Sequence, residues 1–242
     1  MDNSRKVYDL AADTQFQQPY VDKKELRERC GYKYTYVHGG FEGTDLRFAI
    51  CYPQKANYDG RFFQYMPPAP NNEDASQNLH GGDDKITFAF ENGGYFVESN
   101  MGVLNPFIAG ATDDPTLTYR TSAQVAEYSR KIAKDIYGED LPRPYGYIYG
   151  GSGGAYKTIS CVENTDVFDG AVPYVNGAPV SVPHNLTIRA YAMRVLRHKL
   201  GGIIESLQPW GDGYMYAGLN EEEADALKEL LEFGFPKKAI CS

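Results

Sequence analysis

One segment of the chain, Tyr145 to Cys161, constrains the fold most strongly. Its first five residues are mostly aromatic or apolar and predict a short buried strand. Four glycines surround Ser152, and from there the pattern is helical to Cys161. A strand that passes into a helix through so short a connection is a unit of an α/β sheet. We therefore expect a turn from strand to helix at Ser152.

Segments on both sides of this turn extend the same pattern. Thr121–Tyr137 is a helical pattern that ends at Gly138, and Phe168–Val175 is a further strand. Strands that alternate with helices predict a mostly parallel central sheet flanked by helices. The other expected strands are Tyr32–Val37, which leads to a turn at Gly39-Gly40, then Leu46–Tyr52, Phe62–Tyr65 and Tyr95–Val97.

The two ends of the chain differ from this central part. The first 30 residues are polar and predict an irregular lead-in with a short helix over Lys23–Arg29. Beyond residue 179, helical patterns cover Thr187–Leu200 and Glu221–Phe233, and Asn220 with Glu223 can form a capping box. The expected domains are a core over residues 1–180 and a helical cap segment over residues 181–242.

Composition and charge exclude several classes of protein. The 242 residues carry 24 Lys and Arg against 32 Asp and Glu, a formal net charge of -8, whereas nucleic-acid binding needs concentrated positive charge. No apolar run approaches the roughly 18 residues of a membrane span. The N-terminal sequence shows no signal peptide, but a leader could have been removed, so localisation stays open. We expect a small-molecule ligand, with no nucleic acid and no membrane.

The glycines around Ser152 fit a nucleophile elbow, the sharp turn that carries a catalytic serine. Gly150-x-Ser152-x-Gly154 lies between a predicted strand and a predicted helix, which is the context this motif requires. Larger side chains at the glycine positions would collide with neighbouring backbone. The turn would expose Ser152 and direct the backbone N–H of Gly153 towards a developing oxyanion.

Glycine-rich turns also bind phosphate, so two phosphate-binding motifs are alternatives to the elbow. A Walker loop needs a glycine directly before its Lys-Thr pair, but Tyr156 precedes Lys157-Thr158. A dinucleotide fingerprint that begins at Gly151 meets Tyr156 where its last glycine should be. Both motifs fail at Tyr156, and the elbow remains the preferred interpretation.

Metal and disulfide sites have weaker support. The four cysteines, Cys30, Cys51, Cys161 and Cys241, show no metal-ligand spacing, and their disulfide state stays open. The acidic pairs Asp83-Asp84 and Asp113-Asp114 are minor candidates for calcium. We expect no metal and no cofactor.

The segment from Ala123 to Pro179 resembles the tannase and feruloyl-esterase branch of the α/β-hydrolases. The resemblance rests on the elbow, on Phe168-Asp169-Gly170 and on Asn176-Gly177-Ala178-Pro179. Upstream, Arg61–Gln64 and Gly94–Asn100 lie where that family has its third and fourth strands. The resemblance implies an α/β-hydrolase fold and a serine esterase, and it covers roughly residues 34–179.

Two positions depart from that family. Its members often have a cysteine directly before the nucleophile, where this chain has Gly151. The glycine-rich oxyanion segment after the third strand is replaced by Tyr65-Met66-Pro67-Pro68. Since proline has no N–H, the second oxyanion donor is expected at Met66 or Tyr65.

The catalytic acid and histidine should follow the nucleophile in this fold. Only His184 and His198 do so, and His198 lies in a basic run; Asp169 is the one acidic strand-end residue before His184. Our preferred expectation is that the chain is incomplete, and that further chain beyond Ser242 supplies the acid and base. The alternative is an unorthodox hydrolase that uses His184, His38 or His80.

These observations predict a serine hydrolase that cleaves carboxylic esters, aromatic or phenolic ones among them, through an acyl-enzyme on Ser152. Gly153 and Met66 are the expected oxyanion donors. Two alternatives stay open: a non-catalytic binding protein that keeps the hydrolase fold, and a serine peptidase or acyltransferase on the same fold.

Overall fold

A computed structural model describes residues 7–69, 72–103, 114, 116–176 and 182–232, with the backbone alone for residues 182–187. The chain divides into two compact units, residues 1–177 and 178–242. The strands are β1 (Pro19–Arg29), β2 (Tyr32–Phe41), β3 (Arg47–Pro53), β4 (Arg61–Tyr65), β5 (Gly94–Ser99), β6 (Tyr145–Gly151) and β7 (Gly170–Tyr174). The helices are α1 (Lys85–Glu91), α2 (Leu117–Tyr137), α3 (Gly153–Asn164), α4 (Val182–Leu196), α5 (Leu200–Leu207) and α6 (Glu221–Glu232).

The seven strands form one sheet in the order β1-β2-β3-β5-β4-β6-β7. Strands β5, β4, β6 and β7 pair in parallel, while β1, β2 and β3 form antiparallel pairs at the other edge. Five of these strands, β2 and β4 to β7, therefore run in one direction. This is the predicted α/β-hydrolase architecture, with one additional strand, β1, at its first edge.

Helices pack on both faces of the sheet because its central strands are apolar on both sides. On one face, Phe62, Tyr95 and Val97 pack with Val125 and Ile132 of α2. Cys161 of α3 packs on the same face against Ile148 of β6 and against Met66. On the other face, a separate cluster joins the sheet to α1 through Ile86, Ala89 and Phe90. The parallel strands are thus covered as such sheets require.

The prediction for the first 30 residues was wrong. Lys23–Arg29 belongs to β1, which pairs with β2 along its whole length, and forms no helix. The strand lies at the sheet edge and most of its side chains are at least partly exposed, so its sequence carries charges where an inner strand has apolar residues. The Arg27 guanidinium lies 3.5 Å from the ring centre of Tyr36 on β2.

The turn between β2 and β3 comes later in the sequence than predicted. Gly39 and Gly40 lie inside β2, and the connection to β3 follows Phe41. A Cβ atom on Gly39 would overlap the carbonyl oxygen of Tyr20, and one on Gly40 would come 2.6 Å from that of Leu46. These glycines permit close backbone approach within the sheet rather than a turn.

The second unit, as described from residue 182 to residue 232, is helical and contains no strand. Its core is formed by Ala192, Leu196, Ile203, Met215 and Leu227. The capping box at the start of α6 is confirmed: Glu223 N–H donates to Asn220 Oδ1 at 2.9 Å, and Asn220 N–H donates to Glu223 Oε2 at 2.8 Å. That this unit acts as a cap stays a prediction.

Candidate active site

Ser152 occupies the junction between β6, which ends at Gly151, and α3, which begins at Gly153. Its φ is 55° and its ψ is -118°, and the residue is exposed. A non-glycine residue in this region costs roughly 1–3 kcal/mol, and such strain concentrates at functional sites. The structure thus places Ser152 at a sharp, exposed bend between strand and helix.

The flanking glycines are needed because the chain that follows β4 crosses the elbow. A Cβ atom on Gly150 would lie 2.5 Å from the carbonyl oxygen of Met66, and one on Gly154 would overlap that oxygen. A Cβ atom on Gly153 would lie 2.9 Å from the carbonyl oxygen of Pro68. The motif spacing therefore has a steric cause in this chain.

Tyr174, at the end of β7, supports the elbow from the other side. Its carbonyl oxygen accepts a hydrogen bond from the backbone N–H of Ser152 at 3.2 Å. Its ring would lie 2.5 Å from a Cβ atom on Gly151. The exposed ring thus borders position 151, where this chain has glycine.

The two expected oxyanion donors differ in their surroundings. Gly153 is the first residue of α3, and the first N–H groups of a helix have no acceptor within the helix. They also lie at the positive end of the helix dipole. The N–H of Met66, by contrast, donates to the carbonyl oxygen of Tyr149 at 2.8 Å. Its role as an oxyanion donor stays a prediction, and it requires that hydrogen bond to be exchanged.

Lys157 contacts the same crossing chain. Its Nζ donates to the carbonyl oxygens of Pro67 and Pro68, both at 2.9 Å, and burial lowers the pKa of its ammonium group to about 8. A Walker loop, which the sequence excludes at Tyr156, would place this lysine at a phosphate, whereas here it binds two backbone carbonyls. Sequence reasoning missed this contact, although Lys157 lies four residues after Gly153 and thus on the same side of α3.

His38 lies far from the elbow. The register runs from His38 through Ala49 to Glu98 and, two strands further, to Tyr149 on β6. Four strand spacings of about 4.8 Å separate His38 from Tyr149, roughly 19 Å. Its Nδ1 lies 2.6 Å from Asp22 Oδ1 and its Nε2 lies 2.9 Å from Glu73 Oε1. Hydrogen bonds to Glu73 and Asp22 raise the pKa of His38 to about 9.

His80 lies at the opposite edge of the sheet from Ser152. Its Nδ1 is 3.4 Å from the guanidinium of Arg29, which pairs with Tyr32, the first residue of β2. Strand β2 runs in the same direction as β6, so the first residues of both strands lie at the same end of the sheet. Ser152 lies at the opposite end, because it follows the last residue of β6. The structure therefore places both His38 and His80 too far from Ser152 to act as its base, and this alternative is wrong.

The two remaining histidines belong to the second unit. His184 lies within α4, and its side chain is outside the described part of the chain. His198 is exposed and accepts a hydrogen bond from Arg197 at 2.8 Å. A role for His184 stays a prediction.

Asp169 has a structural role. It accepts the N–H of Gly146 at 2.7 Å, and Arg143 Nη1 lies 2.8 Å from one of its oxygens. It precedes β7, and thus lies at the edge of the sheet where β6 and β7 begin. The Arg143 guanidinium and the Gly146 N–H outweigh the effect of burial and lower the pKa of its carboxyl.

The other acidic and sulfur candidates also have ordinary roles where they are described. Asp84 caps α1 through Thr87 and pairs with Arg29 at 2.8 Å. Cys30, Cys51 and Cys161 are free thiols, while Cys241 and Asp113 lie outside the described residues.

Within the described ranges, no group of three or more His, Cys, Asp or Glu side chains could hold a metal ion. Among those residues, no helix is long and apolar enough to cross a bilayer.

Among known proteins, this chain is similar only to solved structures. No family profile matches the sequence, and no curated protein matches it significantly. Among solved structures, the chain is similar to the rice cell wall degrading esterase LipA from Xanthomonas oryzae (TM-score 0.48, 9% identity, 86% of this chain and 69% of that chain).

Two further similar structures are the methylesterase BT1017 (TM-score 0.42, 18% identity, 70% of this chain and 38% of that chain) and the siderophore hydrolase EstB from Aspergillus fumigatus (TM-score 0.41, 13% identity, 79% of this chain and 62% of that chain). All three TM-scores are below 0.5, so the activities of these proteins are not transferred to this chain.

Proposed function

We propose that this protein is a serine hydrolase that cleaves carboxylic esters through an acyl-enzyme on Ser152. The observation that carries the proposal is the exposed, strained Ser152 between a parallel strand and a helix N-terminus. Strain is retained at such a bend when it serves a function, because a relaxed turn would stabilise the fold. The adjacent Gly153 N–H supplies one donor for the oxyanion.

The chemistry follows from this arrangement. Ser152 Oγ attacks the ester carbonyl, its proton passes to a base, and the tetrahedral oxyanion accepts a hydrogen bond from Gly153 N–H. The intermediate collapses, the alcohol leaves with a proton, and water then releases the acid. The base is a histidine other than His38 and His80, and His184 is the candidate within this chain.

Aromatic esters are the substrates we favour. Tyr149 lies three residues before the nucleophile in the sequence, and the centre of its ring is 5.4 Å from that of Tyr65. The Tyr174 ring packs beside Gly151. Tyrosine rings give a ligand both an apolar face and a polar group. An ester of the tannin or feruloyl type is the finer proposal, in keeping with the sequence resemblance.

The test is hydrolysis of an activated aryl ester by the wild-type chain, with Ser152→Ala as the variant and Ser160→Ala on the same helix as the matched control. We expect a burst of phenol equal to the enzyme concentration in the wild type and the control, and none in Ser152→Ala. A burst that persists in Ser152→Ala would refute the proposal. Equal turnover of a peptide anilide would instead indicate a peptidase.

The second candidate is a binding protein that keeps the hydrolase fold without turnover. The observation that favours it is the placement of His38 and His80 away from Ser152. If the wild-type chain binds an aryl ester, detected by quenching of its fluorescence, but releases no phenol, this second function is supported.

A further inference from the structure

The backbone from Met66 to Ala69, here called the oxyanion loop, is held at its start by the hydrogen bond from Met66 N–H to the carbonyl oxygen of Tyr149. Pro67 and Pro68 have no N–H, so their carbonyl oxygens are the only backbone hydrogen-bonding groups of these two residues. Any oxyanion donor on this loop must therefore be the N–H of Met66 or that of Ala69. The Ala69 N–H follows the two prolines directly, so its position depends on where they lie.

Lys157 holds both of these carbonyl oxygens. Its Nζ is 2.9 Å from the oxygen of Pro67 and 2.9 Å from that of Pro68. The loop also lies against the first turn of α3, as the close approach of Pro68 to Gly153 shows. One side chain thus ties the loop to the helix that carries Ser152 at its start.

We propose that Lys157 is a positioning residue for the oxyanion loop, fixing the second oxyanion donor relative to Ser152 and Gly153. This inference rests on the proposed function of Ser152. A shift of about 1 Å in such a group can cost on the order of 100-fold in rate. Lys157 acts through the loop and does not contact the substrate.

Burial of a charged lysine at this position has an energetic cost. Burial lowers the pKa of its ammonium group to about 8, which means that the surroundings disfavour the charge. A methionine would fill the space without that cost. Retaining a lysine there is therefore understandable if the two carbonyl contacts serve activity rather than stability.

The test compares Lys157→Met and Lys157→Arg with the wild type, and Lys131→Met, at an exposed position of α2, is the matched control. Two quantities are measured: the second-order rate constant of Ser152 labelling by a fluorophosphonate, and amide hydrogen exchange at Met66 and Ala69. In Lys157→Met we expect labelling to slow by about 10- to 100-fold and exchange to accelerate, with no fall in melting temperature. In Lys157→Arg and Lys131→Met, labelling should stay within about threefold.

The outcomes separate this inference from the proposed function. If the wild type is labelled and Lys157→Met is labelled at the same rate, the positioning role is overturned. If the wild type is not labelled, the proposed function fails, and exchange alone decides whether Lys157 holds the loop. Unchanged exchange in Lys157→Met would overturn the inference in either case.

Discussion

The backbone carbonyl oxygen of Met66 occupies the space that a Cβ atom on Gly154 would need. The contact exists because β4 and β6 are neighbours in the sheet, so the chain leaving β4 passes over the helix that follows β6. The elbow and the oxyanion loop are therefore packed backbone against backbone.

Replacement of Gly154 by alanine should destabilise the first unit severely. The obstructing atom is backbone, which cannot move aside without shifting β4 or α3, and we expect a loss of about 3 kcal/mol or failure to fold. Urea unfolding measures this loss. Gly82→Ala is the control, because a Cβ atom there would meet nothing within 4 Å, and its change should stay within about 0.5 kcal/mol. Wild-type stability in Gly154→Ala would contradict the described packing.

Removal of the Asp169 carboxylate should lower stability without impairing Ser152. Asp169→Ala leaves the Gly146 N–H and the Arg143 guanidinium without this acceptor, which should cost about 1–3 kcal/mol. The measurements are the urea midpoint and the fluorophosphonate labelling rate of the folded protein, with exposed Asp135→Ala as control. A labelling rate lowered more than tenfold at unchanged stability would indicate a catalytic acid instead.

The buried carboxyl of Glu98 should make stability depend on pH. Burial raises its pKa from 4.5 to about 8, although Ser76 donates to it through its backbone N–H at 3.0 Å and through its hydroxyl. The folded state thus binds the proton more tightly than the unfolded state. This contribution to stability is complete below pH 4.5 and is lost as the pH rises through 8, by on the order of 5 kcal/mol, because one unit of pKa shift corresponds to about 1.4 kcal/mol.

Glu98→Gln isolates that contribution, because the amide is neutral at every pH and can still accept from Ser76 N–H. Urea midpoints at pH 5, 6, 7 and 8 should fall less steeply in the variant than in the wild type. Part of the slope will remain, since the pKa of His38 is also raised, to about 9. Identical slopes in the two proteins would show that Glu98 is ionised in the folded state at neutral pH.

Neither histidine of the first unit should matter for nucleophile activation. His38 is engaged by Asp22 and Glu73 roughly four strands from β6, and His80 contacts Arg29 at the opposite edge of the sheet. We therefore expect fluorophosphonate labelling of the double variant His38→Asn, His80→Asn to stay within about threefold of the wild type. A drop of more than tenfold would place one of them at Ser152 after all.

Much of the fold could be predicted from the sequence because its inner strands and amphipathic helices have clear periodicity. Residues Arg61–Tyr65, Gly94–Ser99 and Tyr145–Gly151 are strands within a few residues of their predicted bounds. Strand β1 was missed because an edge strand buries little, so pairing with β2 rather than side-chain pattern determines it. Helix α1 was missed because it has only seven residues, too few for a periodic pattern.

The candidate site was predictable only where it is local in sequence. The elbow motif lies within five consecutive residues, so its geometry followed from residue types. The contacts of Lys157 with Pro67 and Pro68 and of Tyr174 with Gly151 span strands that are distant along the chain, and no local pattern encodes them. The exclusion of His38 as the base likewise depends on the order of the strands in the sheet, which no local sequence pattern encodes.

The proposed role of Ser152 is tested most directly by measuring the mass of the protein after incubation with a fluorophosphonate, followed by peptide mapping. We expect one adduct per chain, located on Ser152, and none in Ser152→Ala. An adduct on another residue, or an unmodified wild-type chain under conditions that label a known serine esterase, would contradict this role.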